Sequence, residues 1–110
     1  LSSRSEGFGY SVCEALVNNV PVIASNIPGV SWARELLGVL FFTPGDSSAL
    51  AEAIEELLAW TDIHRSECVQ AGRASVIAAF GIAGWVNRIL TVYESVLSLD
   101  INPDALRTER

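Results

Sequence analysis

Two glutamates near the start of the chain enclose a glycine-bearing stretch that could do chemistry. Seven residues separate Glu6 from Glu14, and Gly7-Phe8-Gly9 follows the first of them. Glycine lets a ligand approach the backbone closely, and free N–H groups at the start of a helix bind phosphate. Carboxylates accept hydrogen bonds from hydroxyls. The stretch therefore predicts a site for a ligand with phosphates in its middle and hydroxyls at both ends.

A helix over about residues 9–19 is expected to position the second glutamate. Its apolar residues recur at helical spacing and predict one buried face, made of Val12, Cys13, Leu16, Val17 and Val20. Glu14 falls on the opposite face. At about 1.5 Å per residue, Glu14 lies roughly 7–8 Å along the axis from Gly9. A sugar, a diphosphate and a ribose fit this layout, so the amides of Phe8, Gly9 and Tyr10 are expected to hold the phosphates of a nucleotide sugar.

Two short apolar runs predict the strands. Residues 21–24 and 38–42 are continuously apolar and bounded by turn residues, which is typical of parallel strands covered on both faces. A turn and a short helix, capped by Ser31 and ending at Leu37, are expected to connect them. Residues 1–3 are interpreted as the end of a further strand.

Three more helices are predicted after the second strand. Asp46 or Ser47 is expected to cap the first of them. Its apolar stripe is Leu50, Ala53, Ile54, Leu57 and Leu58, with Glu52, Glu55 and Glu56 facing water. A less regular helix is expected over 61–80, and an apolar stripe resumes after Gly81 and continues to Leu97.

Strands that alternate with helices predict an α/β fold with a Rossmann-like, doubly wound parallel sheet. Two full strands cannot cover four or five helices, so the sheet is expected to be partial, with further strands before Leu1. The 110 residues amount to one small domain. We expect residues 1–98 to form this incomplete domain and residues 99–110 to form a polar tail.

Composition and charge exclude several classes of protein. Half of the residues are apolar and 18% are charged, which is typical of a folded globular chain. The net charge is -6 and the seven basic residues, all Arg, are scattered. This argues against nucleic acid or an anionic membrane as the main partner. No apolar stretch approaches the roughly 18–20 residues that span a bilayer, so no membrane crossing is expected.

The two cysteines are interpreted as structural. Cys13 and Cys68 lie far apart, without a C-x-x-C pair or a neighbouring histidine, so two buried, reduced thiols and no metal site are expected. Reduced thiols favour a cytoplasmic protein. A peripheral position at the inner face of the membrane is the alternative for the full-length protein. His64 is not expected to be catalytic.

Several segments resemble, in order and approximate spacing, the C-terminal half of the group 1 glycosyltransferases, which have the GT-B fold. These segments are Ser5-Glu6-Gly7-Phe8-Gly9, Glu14-Ala15-Leu16, Val20-Pro21-Val22-Ile23-Ala24-Ser25, Pro44-Gly45-Asp46, Leu50-Ala51 and Val92-Tyr93. The resemblance covers nearly the whole chain. It implies an enzyme that transfers a hexosyl unit from a nucleotide diphosphate sugar with retention of configuration, without a metal or another cofactor.

The resemblance also implies roles for individual residues. Glu6 would contact the donor sugar beside the reacting carbon and is the predicted catalytic residue, and Glu14 would bind the ribose. The residues expected to bind the donor sugar and phosphates are Gly7, Phe8, Gly9, Tyr10 and Ser11. An N-terminal domain would supply the basic residues for the diphosphate and the site for an acceptor, either a carbohydrate or a lipid-linked glycan. A homo-oligomer formed through the exposed sheet edge is a further expectation.

Two departures from the family pattern keep alternatives open. Val20 stands where the family usually has glycine, and Trp32 stands where it usually has an acidic residue. Trp32 is expected to be a packing residue, and Gly29 is expected to serve the turn. One alternative function is a nucleotide-sugar epimerase or phosphorylase of the same fold. The other is a non-catalytic nucleotide-sugar-binding or dimerisation module.

Overall fold

The computed structural model describes residues 1–98. The chain divides into two compact units, Leu1–Ala79 and Phe80–Arg110. The elements in chain order are α1 (Tyr10–Val17), β1 (Val22–Ser25), a 3₁₀ helix (Pro28–Ala33), β2 (Val39–Phe42), α2 (Ser47–Ala59), α3 (Asp62–Phe80) and α4 (Ile82–Leu97). The mixture of helices with a parallel strand pair confirms the α/β class.

The two strands pair in parallel, with Val22 opposite Val39 and Ser25 opposite Phe42. Both begin within one residue of their predicted starts. On the other side of β1, the N-terminal nitrogen of Leu1 donates to the Ile23 carbonyl at 2.8 Å, and the Ser25 N–H donates to the Leu1 carbonyl at 2.8 Å. Leu1 thus bonds to β1 in the manner of a parallel neighbour, as the interpretation of residues 1–3 predicts.

The core of the first unit lies between α1, the sheet and the 3₁₀ helix. Val12 and Leu16 of α1 are fully buried, together with Ala24 of β1 and Val30 of the 3₁₀ helix. Burying a valine or leucine side chain contributes roughly 1.5–3 kcal/mol. This contact therefore fixes α1 on the sheet.

The predicted buried face of α1 is wrong at its end. Val17 is 37% exposed and Val20 is 50% exposed. The helix ends at Val17, and Asn19 has a left-handed φ of 58°, so Val20 leaves the helical stripe. Cys13 is half-buried. Glu14 is exposed, as predicted.

The connection between the strands also differs from the prediction. The helical turn begins at Pro28, after an extended Ile27, and Ser31 lies inside it without capping it. Proline is favoured at the first position of a helix, because its fixed φ suits the turn and the N–H that it lacks would have no helical partner there. Val30 and Ala33 point into the core.

Asp46 caps α2, as predicted. Its carboxylate accepts hydrogen bonds from the Ser48 and Ala49 N–H groups, each at 3.0 Å. The apolar stripe of α2 is less buried than predicted, because Ala53 is buried whereas Ile54 is 42% and Leu58 is 74% exposed. The acidic residues of α2, namely Glu52, Glu55 and Glu56, are exposed as predicted.

The last two helices differ in burial. In α3, the buried residues are Cys68, Val69, Gly72 and Val76. In α4, no residue is buried within the part of the chain that the structure describes. The predicted polar tail at 99–110 lies outside the described residues, and the predicted division into 1–98 and 99–110 stays a prediction.

The membrane prediction needs a correction. By length and composition, the helical segment 62–97 contains an apolar window long enough to cross a membrane, and 6% of that window is buried. The segment is not one continuous helix, because Gly81 has an extended ψ of 150°. Taken separately, α3 has 19 residues and α4 has 16, against the roughly 18–20 that span a bilayer.

Candidate functional site

The loop Glu6–Gly9, which we call the motif loop, lies beside the carboxyl end of β1. The 3₁₀ helix follows that end, and its Gly29 packs directly against the Glu6 backbone. A Cβ added to Gly29 would overlap the Glu6 carbonyl oxygen and lie 3.0 Å from the Glu6 Cβ. Ligands of open α/β sheets bind at the carboxyl ends of the strands. The role of Gly29 is therefore close packing, beyond the turn role expected from the sequence.

Glu6 is held by a neighbour that the sequence interpretation missed. The Ser3 hydroxyl donates to the Glu6 Oε1 at 2.5 Å, and Glu6 is half-buried. The sequence signal that could have identified this contact is a hydroxyl side chain three residues before the glutamate. Serine side chains often form such local hydrogen bonds in loops. The carboxylate thus has a defined orientation before any ligand arrives.

Phe8 packs against two aromatic rings. The Trp32 ring is stacked on it, with centroids 5.0 Å apart and an interplanar angle of 10°. The Tyr10 ring lies at 4.9 Å and 51°. The Trp32 Nε1–H also donates to the Phe8 carbonyl at 2.8 Å. Trp32 is a packing residue, as predicted, and it additionally holds the backbone of the motif loop.

The two glycines of the motif loop differ in their surroundings. Gly9 has a left-handed φ of 74°, and a Cβ there would overlap the Val30 Cγ1. A side chain at Gly9 is therefore excluded by both conformation and space. At Gly7, a Cβ would meet nothing within 4 Å. Gly7 consequently leaves open space on the surface of the loop.

The start of α1 has no side chain that caps it in the described chain. Gly9 is the N-cap residue, and the first turn contains no acidic residue. The first N–H groups of a helix lack helical partners, apart from the Val12 N–H, which donates to the Gly9 carbonyl at 2.9 Å. This helix start presents positive partial charge that no acidic residue of the first turn neutralises.

The other predicted site residues lie on the exposed side of α1. Tyr10 is 72% exposed, and Ser11 and Glu14 are exposed in the first and second turns of the helix. The structure thus brings Glu6, Phe8 and Gly9 together against the 3₁₀ helix. Glu14 lies separately, on the outer face of α1.

Two open pockets are lined in part by residues that precede or follow the motif loop in sequence. One of about 260 Å³ lies at the carboxyl end of β2 and includes Arg4 and Asp46. Another of about 410 Å³ includes Ser11 and lies beside Leu1 and the edge of β1. Neither contains Glu6 or Glu14.

The cysteines have different surroundings. Burial raises the pKa of the Cys13 thiol, and the nearby charge of Glu14 raises it further. Cys68 is buried, and its sulfur lies 3.6 Å from the His64 Nε2. The expectation of no neighbouring histidine is therefore wrong, because one helical turn joins residues 64 and 68. No cluster of three or more side chains that could hold a metal occurs among residues 1–98.

A mixed α/β fold with a glycine-bearing loop at the end of a parallel strand defines a class of ligand-binding domains. Comparison with known proteins narrows the class. Residues 1–75 match the family Glycosyl transferases group 1. The chain belongs to this family, as its resemblance in sequence predicted.

A curated relative supports the same assignment. The chain is 32% identical over 96 residues to D-inositol 3-phosphate glycosyltransferase 1 of Catenulispora acidiphila. The match covers 86% of this chain and 22% of the relative, so the chain spans about a fifth of that protein's length. No solved structure matches the chain significantly. Together, the family match and the relative support membership in a family of glycosyltransferases.

Proposed function

We propose that this chain binds the donor in an enzyme that transfers a hexosyl unit from a nucleotide diphosphate sugar to an acceptor. Family membership supports glycosyl transfer. The start of α1 is the feature that best supports donor binding. Its N–H groups have no acidic residue in the first turn and follow directly on a loop with an oriented glutamate.

Residues of the motif loop and of α1 contact different parts of the donor. Glu6 contacts the sugar, and the amides of Phe8 and Gly9 contact the phosphates. Glu14, exposed on α1, accepts hydrogen bonds from the ribose hydroxyls. The helix start stabilises the negative charge on the departing diphosphate, which lowers the barrier through electrostatics fixed before the reaction. Transfer proceeds with retention and without a metal.

The remaining parts of the enzyme belong to the full-length protein. We place the chain in the C-terminal, Rossmann-like half of a GT-B enzyme, whose other half supplies the acceptor site and the basic residues for the diphosphate. The acceptor is a carbohydrate, a lipid-linked glycan or a related hydroxyl compound. D-inositol 3-phosphate, from the name of the relative, is the first to test. The protein is cytoplasmic, free or at the inner face of the membrane.

Binding of nucleotide diphosphates tests the donor-binding role. In titration calorimetry, the full-length protein is expected to bind one of uridine, guanosine or adenosine diphosphate. Glu14→Gln removes a charged acceptor, and hydrogen bonds to charged groups contribute about 1.5–3 kcal/mol. We therefore expect affinity to fall by roughly 10- to 100-fold. Glu52→Gln, an exposed change on α2, serves as the control.

The alternative of a non-catalytic module has one feature in its favour, namely that Trp32 stands where the family resemblance predicts an acidic residue. A module without donor binding would bind none of the three diphosphates. Binding that Glu14→Gln leaves unchanged would instead remove Glu14 from the site. Absence of binding therefore indicates a module without donor binding, whereas unchanged binding in Glu14→Gln indicates that the role of Glu14 was assigned wrongly.

A further inference from the structure

Trp32 stands where the family resemblance predicts an acidic residue, yet it makes two defined contacts with the motif loop. Its indole N–H donates to the Phe8 carbonyl at 2.8 Å. Its ring also lies nearly parallel to the Phe8 ring, with centroids 5.0 Å apart. Both contacts join positions that are 24 residues apart in sequence. Trp32 thus ties the 3₁₀ helix to the centre of the motif loop.

The hydrogen bond fixes the orientation of a peptide unit. The Phe8 carbonyl and the Gly9 N–H belong to the same peptide, and no described peptide bond is cis. In a planar trans peptide, the C=O and N–H groups point in opposite directions. Because the indole holds the carbonyl on its own side, the Gly9 N–H points away from Trp32. The left-handed φ of Gly9 then leads the chain into α1.

A glutamate could not replace this contact. An ionised carboxylate only accepts hydrogen bonds, whereas the indole nitrogen only donates them. A carboxylate facing the Phe8 carbonyl would bring two acceptors together and favour rotation of the peptide. The tryptophan therefore supplies an interaction that the usual acidic residue does not.

We propose that Trp32 is a positioning residue of the donor site, which orients the Phe8–Gly9 peptide so that its N–H serves the donor diphosphate. This inference rests on the proposed function, because it takes the amides of the motif loop to bind the donor. Trp32 acts through Phe8 and does not itself contact the reacting atoms.

The kinetic test compares two substitutions in the full-length protein. Trp32→Phe keeps a ring for stacking and removes the N–H, whereas Trp32→Glu restores the usual acidic residue. Loss of one neutral hydrogen bond corresponds to a change of roughly 2- to 10-fold. We expect the donor KM to rise by that factor in Trp32→Phe and by more in Trp32→Glu. The acceptor KM of Trp32→Phe should stay near that of wild type, and its Tm should fall by no more than the loss of one hydrogen bond explains.

Trp60→Phe is the matched control, because it keeps a ring beside His64, 4.9 Å away in the native contact. It should change neither KM. A donor KM within twofold of wild type in Trp32→Phe would overturn the inference. An increase in activity in Trp32→Glu would also overturn the inference, because it would show that an acidic residue serves the site better than tryptophan.

A second measurement does not depend on turnover. In titration calorimetry of the full-length protein, Trp32→Phe should weaken binding of the nucleotide diphosphate by roughly 2- to 10-fold, because the hydrogen bond that orders the peptide is gone. Binding by wild type that Trp32→Phe leaves unchanged would overturn the inference alone. A wild-type protein that binds no nucleotide diphosphate would overturn the proposed function, and the inference with it.

Discussion

Helices α1 and α4 both have apolar stripes in the sequence but differ in burial. In α1, Val12 and Leu16 are fully buried against the core of the first unit. In α4, Ile82 is 80% and Leu97 is 84% exposed. An apolar stripe shows that a helix has a face to cover. It does not show which surface covers it.

This difference explains why the candidate site lies at the start of α1. Two fully buried side chains fix the helix to β1, so its first N–H groups have a constant position relative to the carboxyl end of the strand. Donors aimed at developing charge stabilise it best when they need no rearrangement. A helix without buried residues could not provide such fixed donors.

The largest effect is expected from removing a core side chain of α1. Leu16→Ala should lower the free energy of unfolding by about 2–5 kcal/mol, because it leaves a cavity in a filled core. Leu90→Ala in α4, where Leu90 is 50% exposed, should cost less than about 1 kcal/mol. Urea unfolding followed by circular dichroism measures both. Equal losses would break the comparison and show that α4 is covered as fully as α1.

The second prediction concerns the loop that the core supports. Gly29→Ala places a Cβ on the Glu6 carbonyl and should cost about 1–3 kcal/mol through forced backbone shifts. Gly7→Ala meets open space and should change stability by less than about 1 kcal/mol.

Donor kinetics then distinguish the roles of these two glycines. If the donor approaches Gly7 closely, Gly7→Ala should raise the donor KM while the Tm stays constant. A normal donor KM in a stable Gly7→Ala protein would remove Gly7 from the site. Equal stability of the two variants would contradict the packing of Gly29 on Glu6.

A smaller effect is expected at α2, whose burial lies between those of α1 and α4. Asp46→Ala removes both side-chain bonds to the helix start and should cost about 1 kcal/mol. Glu52→Ala, exposed in the same helix, is the control and should be nearly neutral. Thermal unfolding measures the difference, and equal Tm values would show that the cap contributes nothing.

The smallest effect concerns Cys13, at the edge of the buried face of α1. Its raised pKa means that the folded state keeps the thiol proton to higher pH than the unfolded state. This contribution to stability is present below the ordinary pKa of 9.0 and is lost as pH rises through the raised value.

Alkylation followed by mass spectrometry tests the Cys13 prediction. Cys13 should react with iodoacetamide more slowly than a cysteine introduced by Ser95→Cys in α4, since the thiolate is the reactive form. Glu14→Gln should speed the reaction modestly, because the charge of Glu14 contributes to the raised pKa. Equal rates at the two positions would contradict the difference in burial.

Local patterns predicted much of the fold. The strand pair, the limits of α3 near residues 61–80 and the Asp46 cap follow from signals within a few residues. Exposure of Ile54 and Leu58 was not predictable in this way, because a stripe does not identify its partner.

The candidate site was predictable in part. Its residue types and the exposed position of Glu14 followed from spacing. The contacts that order the motif loop did not, because they join distant parts of the chain. Gly29 contacts Glu6, and Trp32 contacts Phe8, only in the folded chain, because β1 places the 3₁₀ helix beside the loop. The Ser3 contact was local but has too common a pattern to stand out.

The most direct test of the central claim is donor-dependent sugar transfer by the full-length protein with Glu6 replaced. Radiolabelled nucleotide sugars and candidate acceptors would be supplied to wild type, Glu6→Gln and the exposed control Glu55→Gln. Removing a charged contact made in the transition state is expected to lower kcat/KM by at least about 100-fold in Glu6→Gln. Glu55→Gln should match wild type. Turnover of Glu6→Gln within a few-fold of wild type would contradict the assignment of the motif loop as the donor site.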